Sequence, residues 1–243
     1  MSEGTWRTHR LELSDQTMRD WDATVLAAGP DGIVLDRSAF YPGGGGQPPD
    51  EGVLLWGGVH TRIAGARRGD DLYLIPVDGD PLPAAGTPVR GALDDQRRSA
   101  LMRTHSALHV LCGVVFRDFG ALVTGGNMEP LTARMDFNLT EVPAGFKESV
   151  ESACNHEVAA GRRIDVRVLP RAEAFEIPDI IRTATNLVPQ DVTEVRIIDI
   201  NGLDVQADGG THVASTKQIG QMEIAKIENK GKGFRRVRLR VRD

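Results

Sequence analysis

Apolar positions recur along this chain at two different periods, and the change of period divides it. Up to about residue 80 they come in short runs broken by turn residues. Trp21–Ala28 is followed by Gly29-Pro30-Asp31-Gly32, then come Ile33-Val34-Leu35, Gly52–Trp56, Val59–Ile63 and Leu72–Val77. Runs of this length bounded by Gly, Pro and Asp read as strands and turns, and many of them at this spacing predict a small β-barrel. Residues 80 to 92 are rich in Pro, Ala and Gly. We place a domain boundary there, between an N-terminal barrel domain, residues 1–90, and a second domain, residues 91–243.

Beyond the boundary the period lengthens. Leu101, Leu108, Leu111, Cys112 and Val115 fall at helical spacing, Asp94 or Asp95 can cap the start, and no Gly or Pro intervenes before Gly113. This predicts a long helix with one buried side. A glycine-rich segment, Gly120 to Gly126, comes next, and Ala133–Phe137 alternates like a strand. Lys147–Ala160 has the pattern of an amphipathic helix. Strands are predicted at Ile164–Leu169, Glu194–Ile200, within Thr216–Ile227 and at Phe234–Val241, with a short helix at Ala172–Ile177. Helices set between antiparallel strands predict an α+β fold, with a central antiparallel sheet beside the long helix.

Composition adds limits. The 243 residues are 40% hydrophobic and 26% charged, as in ordinary globular proteins. No apolar run is long enough for a transmembrane helix, and Met1–Arg10 lacks a signal-peptide core, so no membrane partner and a cytoplasmic location are expected. Two cysteines, Cys112 and Cys154, do not suggest a disulfide scaffold. A net charge of −5 argues against a generic polyanion binder. The end of the chain is basic, however. Arg236-Val237-Arg238-Leu239-Arg240-Val241-Arg242 alternates strictly, which as a strand sets arginines on one face and apolar residues on the other. That face reads either as a solubilised edge or as a phosphate-contacting surface.

The candidate chemistry centres on histidine. His105 and His109 are four apart, so they sit one helical turn above each other on a single face, where two imidazoles can bind one metal ion. Taken alone, the pair reads equally well as solvated or core-capping histidines. The segment Asp208-Gly209-Gly210-Thr211-His212 offers a third imidazole and a carboxylate from a glycine-rich turn. Zinc accepts nitrogen, sulfur and oxygen ligands, so His105, His109, Asp208 and His212 form a candidate site. Asp208 is either a ligand or a group that orients a histidine. Cys112 follows within one turn of His109, but its apolar neighbours assign it to the core.

These motifs, with others in fixed order, resemble the editing domain of alanyl-tRNA synthetase, and most of all the freestanding AlaX proteins related to it. The histidine pair follows Arg97-Arg98 and Leu101-Met102-Arg103. Phe40-Tyr41-Pro42-Gly43-Gly44-Gly45-Gly46-Gln47 resembles the family's FYP…GGGQ segment. Arg134–Phe137, Asp208–Val213, Thr216, Ile219-Gly220 and Gly233–Arg236 extend the likeness over roughly residues 10 to 243. One departure stands out: the family's commonest pattern is Cys-Gly-Gly-Thr-His, and Asp208 takes the cysteine's place.

The resemblance implies a trans-editing hydrolase that deacylates tRNA(Ala) mischarged with serine, and also with glycine, with one zinc ion per chain. It implies that Ser38, Gly44, Gly45, Gly46, Gln47, Gly209 and Gly210 line the aminoacyl pocket, and that Thr104, Gln47 and Thr211 act on substrate or water. Arg97, Arg98, Arg235 and Arg236 are the candidates for tRNA contact. The alternatives are a tRNA-binding module without catalysis, its metal structural or absent, and a hydrolase of another aminoacyl ester. The oligomeric state is left open.

Overall fold

The computed structural model describes residues 7–186 and 188–243. The chain separates into two compact units, residues 1–44 with 48–99, and residues 45–47 with 100–243. The fold is α+β.

The first unit holds β1 (His9–Arg10), β2 (Asp20–Gly29), β3 (Gly32–Leu35), β4 (Arg37–Ser38), β5 (Gly52–Trp56), β6 (Val59–Arg68), β7 (Leu72–Pro76) and β8 (Pro88–Leu93). Six of these close a barrel in the order β2-β3-β7-β6-β5-β8, with every pairing antiparallel. Alternation along each strand sends Trp21, Val25, Ile33, Leu35, Leu54, Ile63, Leu72, Leu74, Val89 and Leu93 inward. Burying each large aliphatic side chain stabilises the fold by about 1.5–3 kcal/mol. The segment expected to link the domains contributes a wall instead. Pro88–Leu93 pairs on both sides, with β2 and β5, and its Pro88 lies at the first strand position, where a missing N–H does least harm.

The long helix α1 runs from Asp95 to Phe119, roughly 37 Å at the usual rise per residue. The second unit continues with β9 (Val123–Glu129), β10 (Thr132–Phe137), α2 (Phe146–Ala159), β11 (Ile164–Pro170), α3 (Arg171–Ala174), β12 (Glu194–Ile200), β13 (Asp204–Ala207), β14 (Gln221–Asn229) and β15 (Arg235–Arg242). They form two antiparallel sheets, β14-β15-β10-β9 and β11-β12-β13. The glycine-rich stretch after α1 is therefore partly strand. In β15 the period-2 pattern is realised: Val237, Leu239 and Val241 are buried while Arg238, Arg240 and Arg242 are exposed.

The burial of α1 differs from the one-sided expectation. Every residue from Thr104 to Val115 is buried, so the helix is a central strut rather than an amphipathic cover. Gly113 does not end it, because the glycine serves packing. A β-carbon there would come within 2.9 Å of Leu203 and 3.0 Å of Asp204.

Candidate metal centre

Burial of α1 from Thr104 to Val115 creates a demand. Thr104, His105, Ser106 and His109 are polar and inside, and buried polar groups must find partners. The Thr104 hydroxyl donates to the Ala100 carbonyl at 2.7 Å and accepts the Leu131 amide at 2.8 Å. Leu131 has φ 61°, a strained value for a branched residue, at the tip of the β9–β10 hairpin. Thr104 thus pins that turn, with its hydroxyl donating to the helix backbone and accepting from the hairpin. Ser106 accepts the Val213 amide at 3.1 Å, which ties the Asp208–His212 segment to α1.

The four candidate ligands converge. His105, His109, Asp208 and His212 offer ligand atoms that all lie within 4.8 Å of one another. His105 Nε2 is 3.5 Å and His109 Nε2 is 4.0 Å from Asp208 Oδ2. The His105 and His212 rings are 4.3 Å apart between centroids, those of His109 and His212 4.7 Å. Ligand atoms around tetrahedral zinc, at bonds of about 2.0–2.1 Å, stand about 3.3 Å apart. The set is near that size, and three neutral nitrogens with one carboxylate oxygen suit a borderline divalent ion.

The outer nitrogens are organised alike. Nδ1 of His105 is 2.9 Å from Gln47 Oε1, Nδ1 of His109 is 3.3 Å from Asp204 Oδ2, and Nδ1 of His212 is 3.2 Å from the Gly210 carbonyl. Each partner is an acceptor, so in the neutral ring the proton belongs on Nδ1 and Nε2 keeps its lone pair for a cation.

Gln47 does more than serve one histidine. Its Oε1 also accepts the Thr211 amide at 3.1 Å, and its Nε2 donates to the Thr211 hydroxyl at 2.9 Å. The side chain expected at the substrate is buried and spans helix and turn. Thr211, also buried, is its partner in this clamp. Gly210 packs directly on the His105 ring, where a β-carbon would lie 2.3 Å from Cε1. Gly209, by contrast, has open space around it. Arg196 braces the turn by donating to the carbonyls of Asp208, at 3.0 Å, and Gly210, at 2.8 Å.

The His105 and His109 side chains are 5% exposed, and Asp208 is 18% exposed. Gly45 has φ 58°, and a β-carbon there would stand 3.8 Å from Asp208 Oδ2. Gly46 accepts the Met128 amide at 3.0 Å, which stitches this loop to β9. Asp208 is thus the most exposed of the four, with Gly45 beside its carboxylate. Ser38 and Gly44 belong to the first unit, where Ser38 accepts the Phe40 amide and the Gly44 carbonyl accepts the Tyr41 hydroxyl.

Charge in the cluster is mutual. Burial opposes ionisation of Asp208, but the imidazoles of His105, His212 and His109 outweigh it and hold the carboxyl well below the usual carboxylate range. Burial and the neighbouring His105 and His109 push His212 well below the ordinary histidine range, which keeps it neutral. For His109 burial is outweighed by the hydrogen bond to Asp204 and the charges of Asp208 and Asp204, so its value rises.

The arginines expected at tRNA divide. Arg98 is a correction: it is fully buried and forks onto Asp50, with Nε 3.0 Å from Oδ1 and Nη2 2.6 Å from the Ala39 carbonyl. A guanidinium so enclosed cannot meet a phosphate. Arg97 is partly exposed beside Glu51, at 3.2 Å. Arg236 is held by both oxygens of Asp136, at 2.7 Å each, and Arg235 donates to the Thr140 carbonyl at 2.9 Å.

Asp204, Gln206 and Arg182, which support His109, carried no signal in the sequence. Asp204 opens a four-residue strand too short to show alternation. Ser106, between the two histidines, was equally silent.

The comparisons with known proteins follow the same residues. The family model for the threonyl and alanyl tRNA synthetase second additional domain matches residues 195–238, which include Asp204, Asp208 and His212. The chain is 37% identical over 232 residues to the alanyl-tRNA editing protein AlaX-M of Saccharolobus solfataricus, spanning 95% of this chain and 97% of that protein. The chain belongs to the AlaX-M family of alanyl-tRNA editing proteins. A second AlaX-M protein, from Methanosarcina acetivorans, is 34% identical over 238 residues, with 95% and 97% of the two chains covered. The alanine–tRNA ligase of Pyrococcus furiosus is 35% identical over 233 residues, which take up 95% of this chain and 25% of the ligase. The AlaX-M likeness thus extends to one quarter of a larger enzyme.

Proposed function

We propose that this AlaX-M chain hydrolyses the ester joining serine to tRNA(Ala), and glycine in the same position, with one zinc ion at His105, His109, Asp208 and His212. It is an aminoacyl-tRNA deacylase. The reading rests on the convergence of three buried imidazoles and one partly buried carboxylate, with ligand atoms within 4.8 Å of one another. A divalent cation held there supplies polarisation of a carbonyl or a lowered pKa for water.

The protein's own groups do the rest. Gln47 and the Gly210 carbonyl keep His105 and His212 in the ligating tautomer. Gly45 and Gly209 leave room and backbone amides for a small aminoacyl group. A pocket that hydrogen-bonds the serine hydroxyl rejects alanine, because its own buried polar groups would go unpaired; such sites discriminate by as much as about 10⁴–10⁵. No helix among the described residues is long and apolar enough to cross a membrane, and we place the chain in the cytoplasm, where charged tRNA is used.

The test is a deacylation assay with Ser-, Gly- and Ala-tRNA(Ala), with and without added zinc. Release of serine with Ala-tRNA(Ala) left intact is expected, and chelation should abolish it. Metal-replete protein inert toward both Ser- and Gly-tRNA(Ala) would overturn the proposal.

A further inference from the structure

We propose that Asp204 is a positioning residue of the metal centre: seated against α1 through Gly113, its carboxylate fixes the proton of His109 on Nδ1 and presents Nε2 to the ion. The inference rests on the metal reading of the site.

The side chain of Asp204 is completely buried, and its neighbours leave it little freedom. Oδ2 faces His109 Nδ1 at 3.3 Å and accepts from Gln206 Nε2 at 2.5 Å, while Oδ1 accepts from Arg182 Nε at 3.1 Å. An ionised carboxylate only accepts, so the ring nitrogen facing it must be the protonated one. Such a group inside a protein is costly unless paired, and Arg182 supplies the opposite charge. Arg182 is itself fixed, its guanidinium carbon 3.9 Å from the centroid of the Phe116 ring on α1. The carboxylate is therefore gripped from two sides and held toward the third.

Gly113 is the independent observation. It lies one turn beyond His109 on the same helix face. Any side chain there would strike Leu203 Cγ at 2.9 Å and Asp204 Cβ at 3.0 Å. The absence of a side chain lets the β12–β13 turn approach closely enough for Asp204 to reach the histidine. A buried helix that needed only apolar filling would gain from alanine at this position.

The experiment measures metal binding directly. Zn²⁺ affinity by competition with a chelating indicator, and the visible spectrum of the Co²⁺ form, are compared for wild type, Asp204→Asn, Asp204→Leu and Gly113→Ala, with folding followed by circular dichroism. Asp204→Leu is expected to bind Zn²⁺ about 10–100-fold more weakly with an altered Co²⁺ spectrum. Asp204→Asn retains an acceptor oxygen and should lose only a few-fold, and Gly113→Ala should fall between the two. A folded Asp204→Leu with unchanged affinity and spectrum overturns the inference while leaving the metal site standing. Wild type that takes up neither ion overturns the metal reading itself. If Asp204→Leu does not fold, ¹⁵N spectra of the wild-type imidazoles decide: zinc on Nε2 of His109 with Nδ1 protonated supports the assignment, and zinc on Nδ1 refutes it.

Discussion

Gly210 lies flat on the imidazole of His105, so close that a β-carbon at residue 210 would fall 2.3 Å from Cε1 and 2.7 Å from Gln47 Oε1. The two glycines between Asp208 and His212 are therefore unequal. Gly210→Ala must displace His105, Gln47 or the turn. We expect at least about a hundredfold loss of kcat/KM, the usual scale for a misplacement of about 1 Å, together with weaker Zn²⁺ binding. Gly209→Ala meets no atom and should retain zinc. Equal zinc affinity in the two variants would contradict this geometry.

Arg98 and Asp50 form a buried ion pair, with the Asp50 carboxylate also accepting the Tyr41 amide at 2.7 Å. Breaking such a pair by removing one partner costs about 3–5 kcal/mol. Arg98→Met should lower the urea midpoint sharply. Arg98→Lys keeps the charge but loses the fork, and should fall between. The salt dependence of tRNA binding by Arg98→Met, measured under conditions where that variant is folded, should match wild type, since a residue away from phosphate releases no counterion. A shallower salt slope would return Arg98 to the tRNA surface.

Thr104 bonds at once to α1 and to the strained turn at Leu131. Thr104→Val keeps the shape and leaves the Leu131 amide unpaired, at about 1–3 kcal/mol. For a chain of this size that corresponds to a drop in Tm of roughly 2–12 °C. Catalysis measured well below Tm should keep its kcat. A fall in kcat without a fall in Tm would place the hydroxyl in the chemistry instead.

The two thiols make the fold sensitive to alkali. Burial pushes the Cys154 thiol from its ordinary value of 9.0 up to about 12, and Cys112 is raised well above the ordinary value by burial and the charge of Asp204. A raised folded pKa leaves stability intact below the unfolded value and removes it as pH climbs toward the folded one. Each thiol then costs about 1.4 kcal/mol per pH unit within that window. The urea midpoint should fall between roughly pH 9 and pH 12, and Cys154→Ala should show a flatter decline despite a lower starting stability. An identical slope in the variant would refute the contribution.

How much of this was legible beforehand depends on how locally each feature is encoded. The His105–His109 pair is written in helical spacing, and the β15 arginines in strand alternation; both needed only neighbours in sequence. Asp208 and His212 lie about a hundred residues downstream; their residue types suit the same ion, but no local periodicity joins them to the pair, and the family resemblance strengthens the link. Arg98 looked like a phosphate ligand because its partner, Asp50, sits far upstream and nothing local announces a buried pair. Asp204 was invisible for the same reason: a lone acid in a turn acquires meaning only when Gly113 brings it against α1. The one-sided helix was misjudged because polar residues at positions 104, 105, 106 and 109 mimic a wet face when their partners are distant.

The tripeptide Gly45–Gln47 is grouped with residues 100–243 although more than fifty residues of barrel chain intervene. A fragment trimmed to begin at the long helix would therefore arrive without the amide that steadies both His105 and Thr211. Grafting the catalytic half onto another scaffold requires carrying that short loop along, and evolution can shorten this protein from its front end only if something else supplies the missing brace.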